Sequence, residues 1–206
     1  MQVNDADRKK ENKDISTYLW ARFISGDDYA YSQLYKLYVN EMFAYGTCFT
    51  SDRESIKDCI QNVFIRIYGN RDNLKQVDNI KLYLFIALKN GIYNTLKYTE
   101  SHTSEDISNV SSQLVHSVEE VFIESEEQAH NKKIIEQILH TLTPHQREII
   151  YYRYVEELSY DEICKRMNMN YQSVRNLLHR SIKKIRDTFP DYSTLFLLSC
   201  IRLFFN

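Results

Sequence analysis

From Ser159 to Arg186 the chain reads SYDEICKRMNMNYQSVRNLLHRSIKKIR, whose residue types suit contact with duplex DNA rather than a reaction. Between Ile163 and Arg186 there are seven basic residues (Lys165, Arg166, Arg175, Arg180, Lys183, Lys184, Arg186) and no Asp or Glu. That imbalance favours phosphate contact, and Arg or Asn near the start of a helix matches base edges in the major groove. The candidate duplex-reading residues are Arg175, Asn176, His179, Arg180 and Lys183, which share the polar face of the second half of the stretch. A solvated basic helix pair in an ordinary bundle gives a similar pattern, so the elements that carry these residues matter.

Those elements read as helix, turn, helix. Ser159 and Glu162 form an S-x-x-E capping box that satisfies two backbone N–H groups at a helix start. The helix carries Ile163, Cys164 and Met167 on one face and meets Asn168, which tolerates the left-handed backbone needed to leave it. Asn170 caps the next helix, whose apolar positions Val174, Leu178, Ile182 and Ile185 recur at helical spacing. Upstream, Thr143, Pro144 and Gln146 give a second capping signature with Pro at the first helical position, which predicts a helix through Tyr154.

Only 4 Gly and 2 Pro in 206 residues predict an all-α chain of one or two small domains. The net charge of −2 does not suit a nucleic-acid binder until its distribution is read. Thr99 to Glu127 holds eight acids (Glu100, Glu105, Asp106, Glu119, Glu120, Glu124, Glu126, Glu127) and no Lys or Arg, so a local acidic segment masks a basic C-terminal part. The cysteines, Cys48, Cys59, Cys164 and Cys200, show no C-x-x-C spacing, which predicts buried free thiols in a reducing compartment. The charged opening MQVNDADRKKENKD has no apolar core and predicts no signal peptide, hence a cytoplasmic protein.

Nothing in the residues supports catalysis, a metal site, a cofactor or a small-molecule substrate. Gly26, Gly46, Gly69 and Gly91 are isolated, so no Gly-rich phosphate loop exists, and the histidines are scattered without H-E-x-x-H.

Along the chain, helical periodicity begins near Asp14 after a charged N-terminus expected to fray, and is clear over Tyr31, Leu34, Tyr35, Tyr38 and Met42. Ser51 or Asp52 caps a helix with Ile56, Ile60, Val63, Phe64 and Ile67 as its apolar stripe, leaving Asp58, Gln61, Asn62 and Arg66 outside. Residues 69–79 read as a loop, followed by a helix from about Ile80 to Tyr98 that is basic at Lys81, Lys89 and Lys97. A Ser-rich, acidic stretch then marks a flexible linker. The predicted organisation is two small helical domains, 1–98 and 128–189, joined by the linker 99–127, the second domain containing the helix-turn-helix. The apolar tail 190–206 is too short to span a bilayer. It suits either a terminal helix packed on the second domain or a docking surface for another protein.

The order of these parts resembles the small two-domain bacterial sigma factors of the extracytoplasmic-function (ECF) type. The resemblance covers roughly Gly26 to Asp187 and rests on SQLYKLYVNEMFAY, IKDCIQNVFIRIY, NIKLYLFIALKNGIYNTLKY, and LTPHQREIIYYRYVEELSYDEICKRMNMNYQSVRNLLHRSIKKIR in that order. It implies that the second stretch binds core RNA polymerase through Asp58, Gln61, Asn62 and Arg66, with Asp58, Gln61 and Phe64 matching a D-x-x-Q-x-x-F pattern. Asn62 departs from a common acid. The resemblance implies that the loop and third stretch capture flipped bases of a melted promoter element, with Asn73, Lys75, Asn79, Lys81, Lys89, Asn90 and Lys97 as candidates. Tyr83 and Tyr93 lie among them, and for Tyr83 a core position is the expectation. The fourth stretch would read an upstream element as duplex, with Leu177 where Arg or Lys is common. An anti-sigma factor, often membrane-bound, is the further implied partner. A stand-alone helix-turn-helix regulator and a sigma-like adaptor that binds only proteins are the alternatives.

Overall fold

The computed structural model describes the backbone of residues 5–102 and 126–205, with side chains for 14–98 and 133–205. Among the described residues all regular structure is helical, and the chain divides into two compact units, Met1–Lys97 and Tyr98–Asn206.

The first unit contains α1 (Asp5–Ile24), α2 (Asp28–Gly46), α3 (Arg53–Gly69), a 3-10 turn (Arg71–Asn73) and α4 (Ile80–His102), which runs past the unit boundary. Helix therefore starts before Asp14, because the polar residues upstream include no Gly or Pro to stop it. It breaks within what the periodicity joined. Gly26 takes φ +108°, open only to glycine at low cost, and Asp27 caps α2 by accepting from the N–H groups of Tyr29 (2.9 Å) and Ala30 (3.2 Å). Asp52, rather than Ser51, caps α3 through Ser55 N–H at 3.1 Å.

The core of this unit is aromatic. Trp20, Phe23, Met42, Tyr45, Ile56, Phe85, Leu88 and Ile92 are each within 1% of full burial. Tyr45 and Phe85 stack at 4.5 Å, joining α2 to α4. Helix α2 ends at Gly46 tight against α3, where an added Cβ would lie 2.6 Å from Ile56 Cγ2. Gly46→Ala is therefore expected to lower stability by about 1–3 kcal/mol through overpacking. Adding Ile56→Val should recover part of the loss, read as the midpoint of denaturant unfolding.

The second unit contains α5 (Glu126–Thr141), α6 (Pro144–Ile150), a π turn (Tyr151–Val155), α7 (Tyr160–Met167), α8 (Tyr171–Thr188) and α9 (Thr194–Phe205). Both capping boxes form, Thr143 with Gln146 and Ser159 with Glu162. The helix from Pro144 reaches the expected end, but it widens into a π turn over its last five residues. Five consecutive residues, Glu148 to Tyr152, are buried, so this stretch of the helix is central to the unit.

The apolar tail forms α9, and its inward face is core: Leu197, Cys200 and Ile201 are buried, and the Phe205 ring meets Tyr151 at 5.3 Å. Its outward face leaves Leu195 and Leu203 exposed. All four cysteines are free, and Cys164 is half-buried where the others are buried. The flexible linker expected over 99–127 falls outside the described residues at 103–125. At its edges α4 continues to His102 and α5 begins at Glu126. No helix among the described residues is long and apolar enough to cross a membrane.

Candidate nucleic-acid interface

Helix α7 ends at Asn168, whose φ 52°, ψ 49° is the left-handed conformation, and the Met169 N–H bonds back to the Cys164 carbonyl at 3.0 Å. Asn170 then caps α8 by accepting from Ser173 N–H at 2.8 Å. This tight turn seats Val174, Leu178, Ser181 and Ile185 of α8 in the core together with Ile163 of α7. The buried Ser181 hydroxyl is satisfied by the Leu177 carbonyl at 2.8 Å.

Packing that side turns the opposite side outward. Arg175, Asn176, His179, Arg180 and Lys183 are all exposed. They fall into two adjacent rows at four-residue spacing, Arg175–His179–Lys183 and Asn176–Arg180, and the second row begins one turn earlier at Gln172. The Gln172 amide donates to Asn176 Oδ1 at 3.0 Å, and Arg180 Nε reaches the Asn176 carbonyl at 3.4 Å. The Gln172 and Asn176 side chains are thus linked along one row of the exposed face. Sequence reasoning omitted Gln172 and Tyr171, both exposed at the start of α8 where base contacts concentrate. Their position directly after the Asn170 cap was the available signal. Leu177 is half-buried, which explains an apolar residue at that place.

The capping box that starts α7 titrates. Backbone and hydroxyl hydrogen bonds from Ser159, at 2.9 Å and 2.8 Å, hold the Glu162 carboxyl below its usual range. A carboxylate with a depressed folded value stabilises the fold above the ordinary Glu range and loses that contribution as pH falls through and below it. Glu162→Gln is expected to flatten the acid limb of stability against pH in the second unit. Thermal unfolding measured from pH 7 down to pH 3 checks this, and an unchanged acid limb contradicts it.

In the first unit, Asp58, Gln61, Asn62 and Arg66 are exposed along α3, opposite the buried Cys59, Ile60, Val63 and Ile67. Phe64 of the D-x-x-Q-x-x-F pattern belongs to the core, 5.0 Å from the Tyr35 ring and 5.9 Å from Tyr31. Ile65, 57% exposed between Gln61 and Tyr68, is the apolar member of the outer stripe that sequence reasoning passed over.

The residues named for a melted strand separate into two groups. Asn73, Lys75, Asn90 and Lys97 are exposed. Asn79 instead caps α4, accepting from Leu82 N–H at 2.9 Å. Lys81 pairs with Glu41 at 2.7 Å and lies over the Phe85 ring, and Lys89 lies over Phe49. Tyr83 packs edge-on against Trp20 at 5.6 Å but is half-buried rather than core, and Tyr93, also half-buried, sits 5.7 Å from Phe49.

The exposed basic face of α8 lies inside residues 132–185, which match the family described as sigma-70, region 4. Relatives extend the likeness beyond region 4. The ECF RNA polymerase sigma factor SigM of Bacillus subtilis is 23% identical over 155 residues, 75% of this chain and 91% of that protein. The RNA polymerase sigma-E factor of Streptomyces avermitilis is 24% identical over 139 residues, 66% of this chain and 72% of that one. Among solved structures, CnrH in complex with the cytosolic domain of CnrY has TM-score 0.54 at 15% identity, covering 87% of this chain and 99% of that one. The sigma factor RpoE in complex with the anti-sigma factor NepR from Bartonella quintana has TM-score 0.51 at 18% identity, covering 76% and 94%. The likeness to these two structures is one of fold, and the likeness to the two relatives reaches well upstream of region 4.

Proposed function

We propose that this protein is an ECF sigma factor that brings core RNA polymerase to specific promoters in the cytoplasm. The observation that carries this is the outward basic face of α8 within the region 4 match, with Arg175, Asn176, His179, Arg180 and Lys183 reading an upstream element as duplex. In the same reading the exposed stripe Asp58, Gln61, Asn62 and Arg66, widened by Ile65, binds core polymerase. Asn73, Lys75, Asn90 and Lys97 meet the melted strand, while Asn79, Lys81 and Lys89 shape the surface that carries them. Recognition is the protein's contribution, and phosphodiester chemistry belongs to the polymerase. An anti-sigma factor is the partner that holds it inactive, a role supported by the complexes in which CnrH and RpoE were solved.

Run-off transcription from a genomic library with purified core polymerase, with and without this protein, tests the reading. Discrete new transcripts sharing two spaced upstream elements are the expected result. DNA binding by the free protein with no new transcript would replace it with a stand-alone regulator.

A further inference from the structure

We propose that Trp20 is a positioning residue for the melted-strand surface, holding the loop of residues 74–79 in register with the first turn of α4. This rests on the reading of the first unit as the one that captures melted DNA. Trp20 is 1% exposed, and a buried indole needs an acceptor for its N–H. It finds one 55 residues downstream, donating from Nε1 to the Lys75 carbonyl at 3.1 Å. The same ring packs edge-on against Tyr83 in the first turn of α4, at 5.6 Å and 67°. One side chain of α1 therefore touches both segments that carry the candidate strand contacts.

The loop's other anchors sit at its ends. Arg71 donates to Asp28 Oδ1 at 3.2 Å and lies over the Tyr68 ring, and Asn79 Oδ1 closes the far end on Leu82 N–H. Between them, residues 74–79 form no regular element, so Trp20 grips the main chain near the start of an irregular span. The bond takes the Lys75 carbonyl and leaves its side chain exposed beside Asn73 and Gln76. Trp20 thus sets where those side chains stand without reaching DNA itself. A base flipped from the stack is bound only where its contacts are already in place, so a loosened loop weakens capture of melted DNA and spares duplex reading.

The test uses the full chain bound to core polymerase, and a promoter recovered by run-off transcription, prepared with its downstream element as an unpaired bubble. Trp20→Phe removes the N–H, and replacement by benzothienylalanine removes it while keeping the bicyclic shape. Both are expected to bind the bubble about three- to tenfold more weakly, the worth of one hydrogen bond. Affinity for core polymerase and for the upstream duplex alone should stay unchanged, while the melting temperature of the benzothienylalanine variant should fall by no more than the roughly 4–8 °C that one hydrogen bond is worth in a domain of this size. Unchanged bubble affinity overturns the proposal, and so does an equal loss of polymerase affinity, which marks a purely structural role. If the wild-type chain itself shows no preference for the bubble, the reading of the first unit fails before the role of Trp20 is reached.

Discussion

Arg175→Ala combined with Arg180→Ala is expected to reduce promoter binding that depends on the upstream element by on the order of 10- to 10³-fold, since a bidentate Arg–base contact is worth roughly 1–3 kcal/mol and a lost phosphate contact adds a smaller term. Both side chains are exposed on the outer rows of α8, so the fold should lose no more than about 0.5 kcal/mol. The single variants separate two roles. A residue that reads a base loses affinity at one position of the element and relaxes specificity there, with the salt dependence unchanged. A residue that neutralises a phosphate weakens all sequences alike and lowers the slope of log K against log salt by about 0.9. Arg175, nearer the start of α8, is expected to behave as a base reader and Arg180, one turn further on, as a phosphate contact. Titration of upstream-element duplexes at several salt concentrations checks both. Full affinity in the double variant would return the helix pair to the solvated basic bundle that its sequence pattern also fits.

What the sequence made legible here is local. Ser159 with Glu162, Thr143 with Gln146, Asn168 and Asn170 each act through hydrogen bonds or dihedrals within four residues of themselves, and all sit where their types require. The outward face of α8 followed because the apolar positions of an amphipathic helix determine its other side. The π turn at Tyr151–Val155 carries no such local signature. The break at Gly26–Asp27 did carry a local sign, a glycine followed by two acids, which the continuing apolar period outweighed.

The candidate melted-strand site was less legible, for a physical reason. A lysine or asparagine has the same donors whether it meets DNA or a neighbour in its own fold. Lys81 is engaged by Glu41, 40 positions away, and Asn79 by the start of its own helix. Nor could spacing have linked Trp20 to Lys75, since their contact depends on how α1 packs across the loop. Long-range partners decide which of several identical side chains remain exposed, and only the fold supplies them.

The second large effect concerns the tail. Ile201→Ala is expected to destabilise the second unit by about 2–5 kcal/mol, the cost of cutting a fully buried branched side chain to a methyl. A unit of this size has about 5–15 kcal/mol in total, so the variant should unfold at distinctly lower urea concentration. The effect should reach DNA reading, although Ile201 lies on α9 and away from the α8 rows. Helix α9 buries Leu197 and Cys200 and meets the central helix through Phe205 against Tyr151, and Arg202 pairs at 2.7 Å with Glu157, a residue at φ 57° in the segment leading to α7. A non-glycine residue in that conformation persists only where its surroundings hold it. Weakening α9 therefore loosens the entry to the helix-turn-helix as well as the core beneath it, and upstream-duplex affinity should fall with the folded fraction. Leu203→Ala, on the exposed face, is the contrast: its stability should shift by no more than about 0.5 kcal/mol. Equal unfolding midpoints for Ile201→Ala and the wild type would mean that the tail is an appendage rather than part of the core.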